Sequence, residues 1–329
     1  MTKSTQHHAQ EVFQGIYPES WLRTWTWRSH AVAYVETPET MEGSTDTQSS
    51  TAVLIHGFGA NKEHWRHNVA TLSKKHRVVA IDLIGFGESD KPRSRLNGED
   101  DLNGWTYSIN SWGQQVVDLI QAKIKGPVQL IGNSIGGVVA LSAARILEKQ
   151  GKSARQVILI DCAQRALDDK RLADQPPLRR WARPALKEVV RQRWVTRSLF
   201  KLVANAGVIE KVLKQAYPTG QNIDSQLIEL LLQPALQTNA DEAFRGFINL
   251  FDDHLAPDLL AQMTTPVAIL CGELDPWEQL HEAEKWQQHA SVKYFEVLKG
   301  LGHCPHDESP ETVNPRLLSL LNKADLQQC

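Results

Sequence analysis

Three short runs of this sequence, VVAID at 78–82, VQLIG at 128–132 and VILID at 157–161, are almost unbroken in apolar residues. Side chains alternate across a strand, so a strand with one wet face alternates polar and apolar residues, whereas an unbroken apolar run is a strand covered on both faces. Such strands belong to parallel sheets whose crossover helices pack on either side. Further β-rich runs lie at 25–36, 51–56, 266–271 and 292–297. Together with the three interior strands, read as 77–82, 127–132 and 155–161, they alternate with longer helical stretches. This alternation predicts an α/β chain, a mainly parallel sheet flanked by helices.

Two segments interrupt the pattern. Residues 37–50 (TPETMEGSTDTQSS) and 91–104 (KPRSRLNGEDDLNG) lack apolar periodicity and are rich in Pro, Gly, Ser and Asp, the composition of surface loops. After Asp161, about a hundred residues carry helical periodicity and few strand signals before a strand resumes near Pro266. They predict a helical cap, residues 162–255, inserted into a core domain formed by 1–161 and 256–329. Within the cap, Val195, Leu199, Leu202, Ala206, Ile209 and Leu213 recur at spacings of four and three, which puts them on one helix face. Packing of the cap against the sheet domain is the favoured reading of that stripe, and substrate contact is the other. The longest uncharged run, 126–144, contains Pro127, four glycines, Asn133 and Ser134, and reads as strand, turn and buried helix rather than as a membrane span.

Composition removes several classes of function. The 36 Lys and Arg nearly balance 38 Asp and Glu, and a net charge of -2 offers no field to gather phosphates, so nucleic acid is not expected as a partner. Cys162, Cys271, Cys304 and Cys329 have neither CxxC pairing nor metal-ligand spacing and read as reduced thiols. The opening residues, MTKSTQHHAQEVFQG, contain no apolar leader and are not Arg-rich, so a cytoplasmic protein is expected. Peripheral attachment to a membrane through an amphipathic surface stays open.

The chemistry concentrates where VQLIG runs into Asn133-Ser134-Ile135-Gly136-Gly137 and then directly into the helical VVALSAARIL. Small residues at 132, 136 and 137 permit a sharp strand-to-helix turn that lifts the Ser134 hydroxyl above the sheet edge, the G-x-S-x-G elbow. A serine hydroxyl becomes a nucleophile when a base takes its proton, which calls for a histidine held by a carboxylate. His303 follows the last strand in GLGHCPHD, where the order Ser, acid, His puts the base, with His306 as runner-up. Asp275, closing VAILCGELD, is the favoured acid, and Asp161, closing VILID, the second candidate.

Charge that develops on a substrate carbonyl needs donors, and the backbone amides of Ile135 and of Phe58, in His56-Gly57-Phe58-Gly59 after the strand AVLIHG, are placed for it. His56, His64 and His67 lack the carboxylates that would complete a metal site, so no metal and no cofactor are expected. Cys304 reads as a packed thiol. Trp65, Trp112 and Trp277 lie close in sequence to the candidate site and read as either core or substrate pocket.

Several stretches together, HGFGANKEHW, AIDLIGFGESDKP, IGNSIGGVVAL, LKQAYPTGQNID, GELDPW and GHCPHDESPETVN, resemble the pheophytinase and chlorophyll-dephytylase group of α/β-hydrolases across residues 52–315. GELDPW and GHCPHDE are the more specific markers. The resemblance implies a mostly parallel eight-stranded sheet with a helical cap insert. It also implies Ser134, His303 and Asp275 as nucleophile, base and acid, and cleavage of the phytol ester of a chlorophyll-type pigment in an apolar pocket. The chain departs from the plant enzymes by His56 in place of proline, a shorter 91–104 loop and no transit peptide, which favours a bacterial, cyanobacterial-type homologue, with peripheral placement at a thylakoid membrane as one address. The rivals are a lipase acting on membrane glycerolipids with the same residues, and a ligand receptor that keeps the triad without turnover. Dehalogenases and epoxide hydrolases of this fold need a carboxylate nucleophile, and the serine at 134 counts against both.

Overall fold

In a computed structural model, which describes residues 15–39, 49–174 and 176–326, the apolar runs form the centre of one eight-stranded sheet. Its strands are β1 (Leu22–Trp27), β2 (His30–Glu36), β3 (Thr51–Ile55), β4 (Val78–Ile81), β5 (Val128–Asn133), β6 (Gln156–Ile160), β7 (Val267–Gly272) and β8 (Val292–Leu298). They lie in the order β1-β2-β4-β3-β5-β6-β7-β8. All pairings from β4 to β8 are parallel; β1 and β2 add an antiparallel edge. The run expected as one strand at 25–36 is therefore a hairpin. Its turn, Arg28-Ser29, has φ of 47° and 67°, the mirror-image turn that suits strand twist but which Gly or Asn usually supplies, so no turn signal marked it.

The helices α1 (Val69–Leu72), α2 (Ile109–Lys123) and α3 (Ile135–Lys149) alternate with β3 to β6. Between β6 and β7 come α4 (Pro177–Arg191), α5 (Arg193–Val203), α6 (Ala206–Ala216), α7 (Ser225–Ala235), α8 (Ala240–Ile248) and α9 (Ala256–Leu260). The chain closes with α10 (Leu280–Glu284), α11 (Pro305–Glu308) and α12 (Pro310–Leu326). Strand alternation splits the core in two: Val53, Ile55, Val79 and Ile81 face α2 and α3, while Ala52, Leu54, Val78 and Ala80 face α1 and α12. Both faces of β3 and β4 are dry, as their apolar runs require.

Two expectations change. The stripe from Val195 to Leu213 does not lie on one helix, because Asn205 starts a new one: its side chain accepts the Val208 amide and caps α6. Leu202 is 69% exposed, whereas Ile209 and Leu213 line a cavity and pack in one cluster with Cys304 of the core, so only the C-terminal end of the stripe meets the core domain. The 91–104 segment is also less of a surface loop than its composition suggests. Ser94 is fully buried, its hydroxyl donates to Glu242 on α8 (2.5 Å), and Glu99 pairs with the buried Arg245. In the 37–50 segment, residues 40–48 lie outside the described residues.

A second polar joint ties α6, α7 and their connection to the core. Arg66 donates from Nε to Asp307 (2.8 Å) and from Nη1 to Asp224 (2.8 Å), and the Tyr217 hydroxyl donates to Asp307 (3.0 Å). Asp307 has no solvent exposure. Its replacement by alanine leaves the buried Arg66 guanidinium with Asp224 as its remaining carboxylate partner and takes an acceptor from the Tyr217 hydroxyl, so Asp307→Ala is expected to lower stability by about 2–4 kcal/mol, read as a lower urea midpoint at unchanged slope. A loss below about 1 kcal/mol would mean that the joint behaves as a solvated surface pair.

Candidate active site

The turn between β5 and α3 is strained. Ser134 sits at φ 54°, ψ −124°, a conformation that costs a non-glycine residue about 1–3 kcal/mol and persists only where neighbours over-determine it. The Ser134 amide donates to Ile160 O (3.0 Å), and its carbonyl accepts the amides of Gly137 (2.9 Å) and Ala163 (3.1 Å). Glycine is required on both flanks: a Cβ on Gly132 would stand 2.2 Å from Gly136 O, and one on Gly136 would stand 2.4 Å from Ile55 O. The elbow is thereby wedged against the end of β3.

His303, on the loop after β8, places Nδ1 2.7 Å from Asp275 Oδ2 on the turn after β7. The other oxygen of Asp275 accepts the amides of Trp277 (2.8 Å) and Glu278 (3.1 Å). Burial alone would raise this carboxyl, but the hydrogen bond and charge of His303 and the two amides outweigh it and hold Asp275 below its ordinary value. The His303 backbone is fixed at both ends, its amide donating to Ala216 O (2.9 Å) and its carbonyl accepting Asn133 Nδ2 (3.0 Å). Asn133 thus joins the serine turn to the histidine loop, a role that sequence reasoning missed although the residue directly precedes Ser134. Ser134 and His303 line the same cavity, with the Trp277 ring edge-on to His303 at 4.7 Å.

The two runners-up lie elsewhere in function. Asp161 is buried at φ 42° with Oδ1 accepting the Gly272 amide (2.7 Å), and burial followed by the charge of Asp275 pushes its carboxyl well above the ordinary value. His306 is fully buried beside the rings of Trp65 (4.3 Å) and His64 (4.8 Å), and burial pushes it far below the ordinary imidazole value.

His56 is buried, with Nε2 accepting the Leu83 amide (3.1 Å), which leaves the proton on Nδ1 to donate to Gly57 O (2.7 Å). That bond fixes the Gly57–Phe58 peptide, whose N–H is the Phe58 amide. Neither the Phe58 nor the Ile135 amide has an acceptor among the described residues, so both are available to a ligand. The Phe58 ring stacks on Phe247 of α8 at 3.8 Å. His64 bonds Tyr217 (2.8 Å) and His67 lies 3.7 Å from Asp307, so the three histidines do not converge; among the described residues no group of His, Cys, Asp and Glu is arranged for a metal.

The three tryptophans separate. Trp65 is fully buried in the α1/α12 core, and Trp112 is buried in the other core with its indole N–H donating to Ile84 O (3.0 Å); neither borders the cavity, and only Trp277 does. The Cys304 thiol borders it as well, but burial pushes its pKa far up, so it remains a thiol; Cys162 and Cys271 are buried and free, and Cys329 lies outside the described residues. The cavity measures about 710 Å³, and its wall is aromatic and aliphatic: Phe58 and Phe86 from the core, Phe200, Val208, Leu213 and Phe244 from the cap helices. Leu213 belongs to the stripe for which substrate contact was the second reading; Phe200, Val208 and Phe244 were not expected, because helical periodicity does not distinguish a core face from a pocket face.

The alpha/beta hydrolase family profile matches residues 52–316. The chain belongs to that family. The chloroplastic pheophytinase of Arabidopsis thaliana is 25% identical over 299 residues, an alignment covering 83% of this chain and 61% of the relative. This chain therefore spans less than two thirds of that relative's length. Among solved structures, a membrane phospholipase A described as a bacterial virulence factor superposes with a TM-score of 0.63 at 23% identity, covering 92% of this chain and 86% of that one. A thermophilic esterase from Thermogutta terrifontis gives 0.65 at 20% identity, covering 92% and 99%. At these identities both share the fold.

One further carboxyl borders the cavity. Glu278 accepts the Gln164 amide (2.7 Å), yet burial pushes it up from 4.5 to about 7 against the pull of that amide and of His303. Between those two values the folded chain holds a proton that the unfolded chain has released, so stability falls as pH rises through this window. Glu278→Gln keeps an acceptor and removes the titration. Its stability relative to the parent should rise from about pH 5 to about pH 8 in urea melts, and parallel curves would contradict the assignment.

Proposed function

We propose that this chain is a serine carboxylic-ester hydrolase acting on a lipophilic ester. Ser134 attacks the ester carbonyl while His303 takes the hydroxyl proton, and Asp275, held as a carboxylate, keeps the imidazole in the tautomer that can accept it. The amides of Phe58 and Ile135 receive the oxyanion. His303 then returns the proton to the departing alcohol, leaving an acyl-enzyme that water, deprotonated by the same imidazole, releases as the acid. The observation that carries this reading is the conjunction of the His303–Asp275 pair and Ser134 with a cavity of about 710 Å³ whose wall is mostly apolar.

A phytylated chlorophyll-type pigment is the leading substrate. A long isoprenoid chain suits the apolar wall, and the similarity to pheophytinase extends over 83% of the chain. The test is incubation of the protein and its Ser134→Ala variant with pheophytin, chlorophyll and galactolipid in detergent, with products separated chromatographically. Free phytol is expected from the pigments with the parent and none with the variant. Fatty acid without phytol would transfer the reading to a glycerolipid lipase, and surviving activity in Ser134→Ala would overturn the mechanism. Absence of both burst and turnover with a p-nitrophenyl ester would leave a ligand receptor.

Two substitutions examine the parts separately. Asp275→Asn should lower kcat about 10⁴-fold, since the imidazole loses its tautomer-setting partner. Val212→Trp fills the cap wall and should cut kcat/KM for a long-chain ester about tenfold or more while a short-chain ester is little changed. Equal losses on both esters would place the acyl or alkyl chain elsewhere.

A further inference from the structure

Helix α4 is built inside out. Leu178, Trp181, Ala185 and Val189 recur at spacings of three and four along one face, with Leu186 beside them, and this apolar face points to solvent: Trp181 is 83% exposed and Leu178 76%. The charged face turns inward, where Arg183 and Lys187 both pair with Asp169 and lie over the Phe251 ring at 4.6 and 5.1 Å. Helix α5, which follows α4 after Gln192, adds Trp194, 73% exposed, and Leu202, 69% exposed. A water-soluble surface does not ordinarily leave so contiguous an apolar band uncovered.

The band is set in positive charge. The segment PLRRWARPALKEVVRQRWVTRSLFKLV, 177–203, holds eight Lys and Arg against the one acid Glu188, in a chain whose net charge is -2. Arg180 and Lys201 are exposed and have no ionic partner among the described residues. Bulky apolar and indole side chains outward with cations around them is the composition of a helix lying in a membrane interface. A second copy of the chain is disfavoured as the occupant, since a two-fold contact would face this cationic segment with itself. A nucleic acid is disfavoured because several of the cations turn inward. The same α5 supplies Phe200 and Val203 to the cavity wall, so the outer band and the pocket share one helix.

We infer that the outer face of α4 and α5 docks on an anionic lipid surface and brings the cavity to it. Docking itself stands without the ester reading; only what it delivers, a membrane-held lipophilic ester, rests on that reading. The experiment is co-flotation of the full chain with vesicles of phosphatidylcholine alone or of phosphatidylcholine and phosphatidylglycerol at about 7:3, at about 0.05 and 0.5 M salt. Binding to the anionic vesicles should be at least about tenfold tighter and should weaken with salt. Trp181→Ser with Trp194→Ser, and separately Arg180→Glu with Lys201→Glu, should each lower it about tenfold or more while far-UV circular dichroism and turnover of a water-soluble p-nitrophenyl ester stay unchanged. Equal binding to both vesicles, no binding, or a solution dimer that the tryptophan pair dissolves would each overturn the inference. Vesicle binding without ester turnover would keep docking and sink the esterase; turnover without vesicle binding would do the reverse.

Discussion

The left-handed backbone of Ser134 is the constraint on which the site is assembled. A residue held at φ 54° reverts to an ordinary conformation unless its surroundings forbid it. Here they do so from three sides. β6 accepts the Ser134 amide through Ile160 O, the start of α3 and the loop after β6 occupy its carbonyl, and Gly136 lies so close to Ile55 O and His56 O that any side chain there would push β3 away. The same contact fixes the end of β3, from which the His56–Phe58 loop departs. The distance between the Ser134 hydroxyl and the Phe58 amide is therefore set by glycine packing between two interior strands, with His56 locking the intervening peptide. Asn133 carries the constraint to the His303 loop. Each working group hangs from the carboxyl end of β5 or from something braced against it.

Three carboxyls, Asp161, Asp275 and Glu278, crowd around the end of β7, and in so small a volume they cannot all be charged at neutral pH. Their surroundings sort them. Asp275 has the imidazole and two amides and stays low; Asp161 is raised by burial and by the charge of Asp275 against the pull of one amide; Glu278 is raised by burial to about 7. The result is one carboxylate favoured in its charged form, directed at Nδ1 of His303, with two behind it whose charged forms are disfavoured. Sequence order alone left Asp161 open as the partner of His303. What decides against it is that His303 Nδ1 lies 2.7 Å from Asp275 Oδ2, a relation between the turn after β7 and the loop after β8 that sequence does not display.

How much of this was legible follows from the range over which each signal acts. Buried parallel strands announce themselves because each one is uniformly dry, and the elbow because its glycines are local. The Arg28-Ser29 turn was hidden since neither residue favours positive φ, and the break at Asn205 was hidden since a single capping side chain interrupts a stripe whose apolar spacing continues across it. Trp65 and Trp112 show the limit most clearly. Both stand near site residues in the sequence, but each lies on a helical segment, and which side of the sheet that segment covers is not visible from its nearness along the chain. The link from Asn133 to His303 spans 170 residues and exists only once β5 and the loop after β8 are neighbours.

The cap is attached by polar joints at its edges and by apolar contact at its centre, and the two kinds of attachment do different things. Arg66 with Asp224 and Asp307 fixes the 217–224 connection, while Arg193 and Arg245 with Glu242, Glu99 and Ser94 fix α5 and α8 to the 91–104 segment. Buried ion pairs of this sort return little net stability once desolvation is counted, but they penalise every arrangement in which a partner is missing, so their effect is registry. Between them the cavity wall is made of Phe200, Val208, Leu213 and Phe244, whose contacts with an apolar ligand are non-directional. Phe58 belongs to both systems: it borders the cavity with Ser134, its amide without an acceptor among the described residues, and its ring stacks on Phe247 of α8. The position of α8, set by Arg245 and Glu242, therefore bears directly on the peptide that would hold the oxyanion, and the polar joints of the cap belong to the geometry of the site as much as to the stability of the fold.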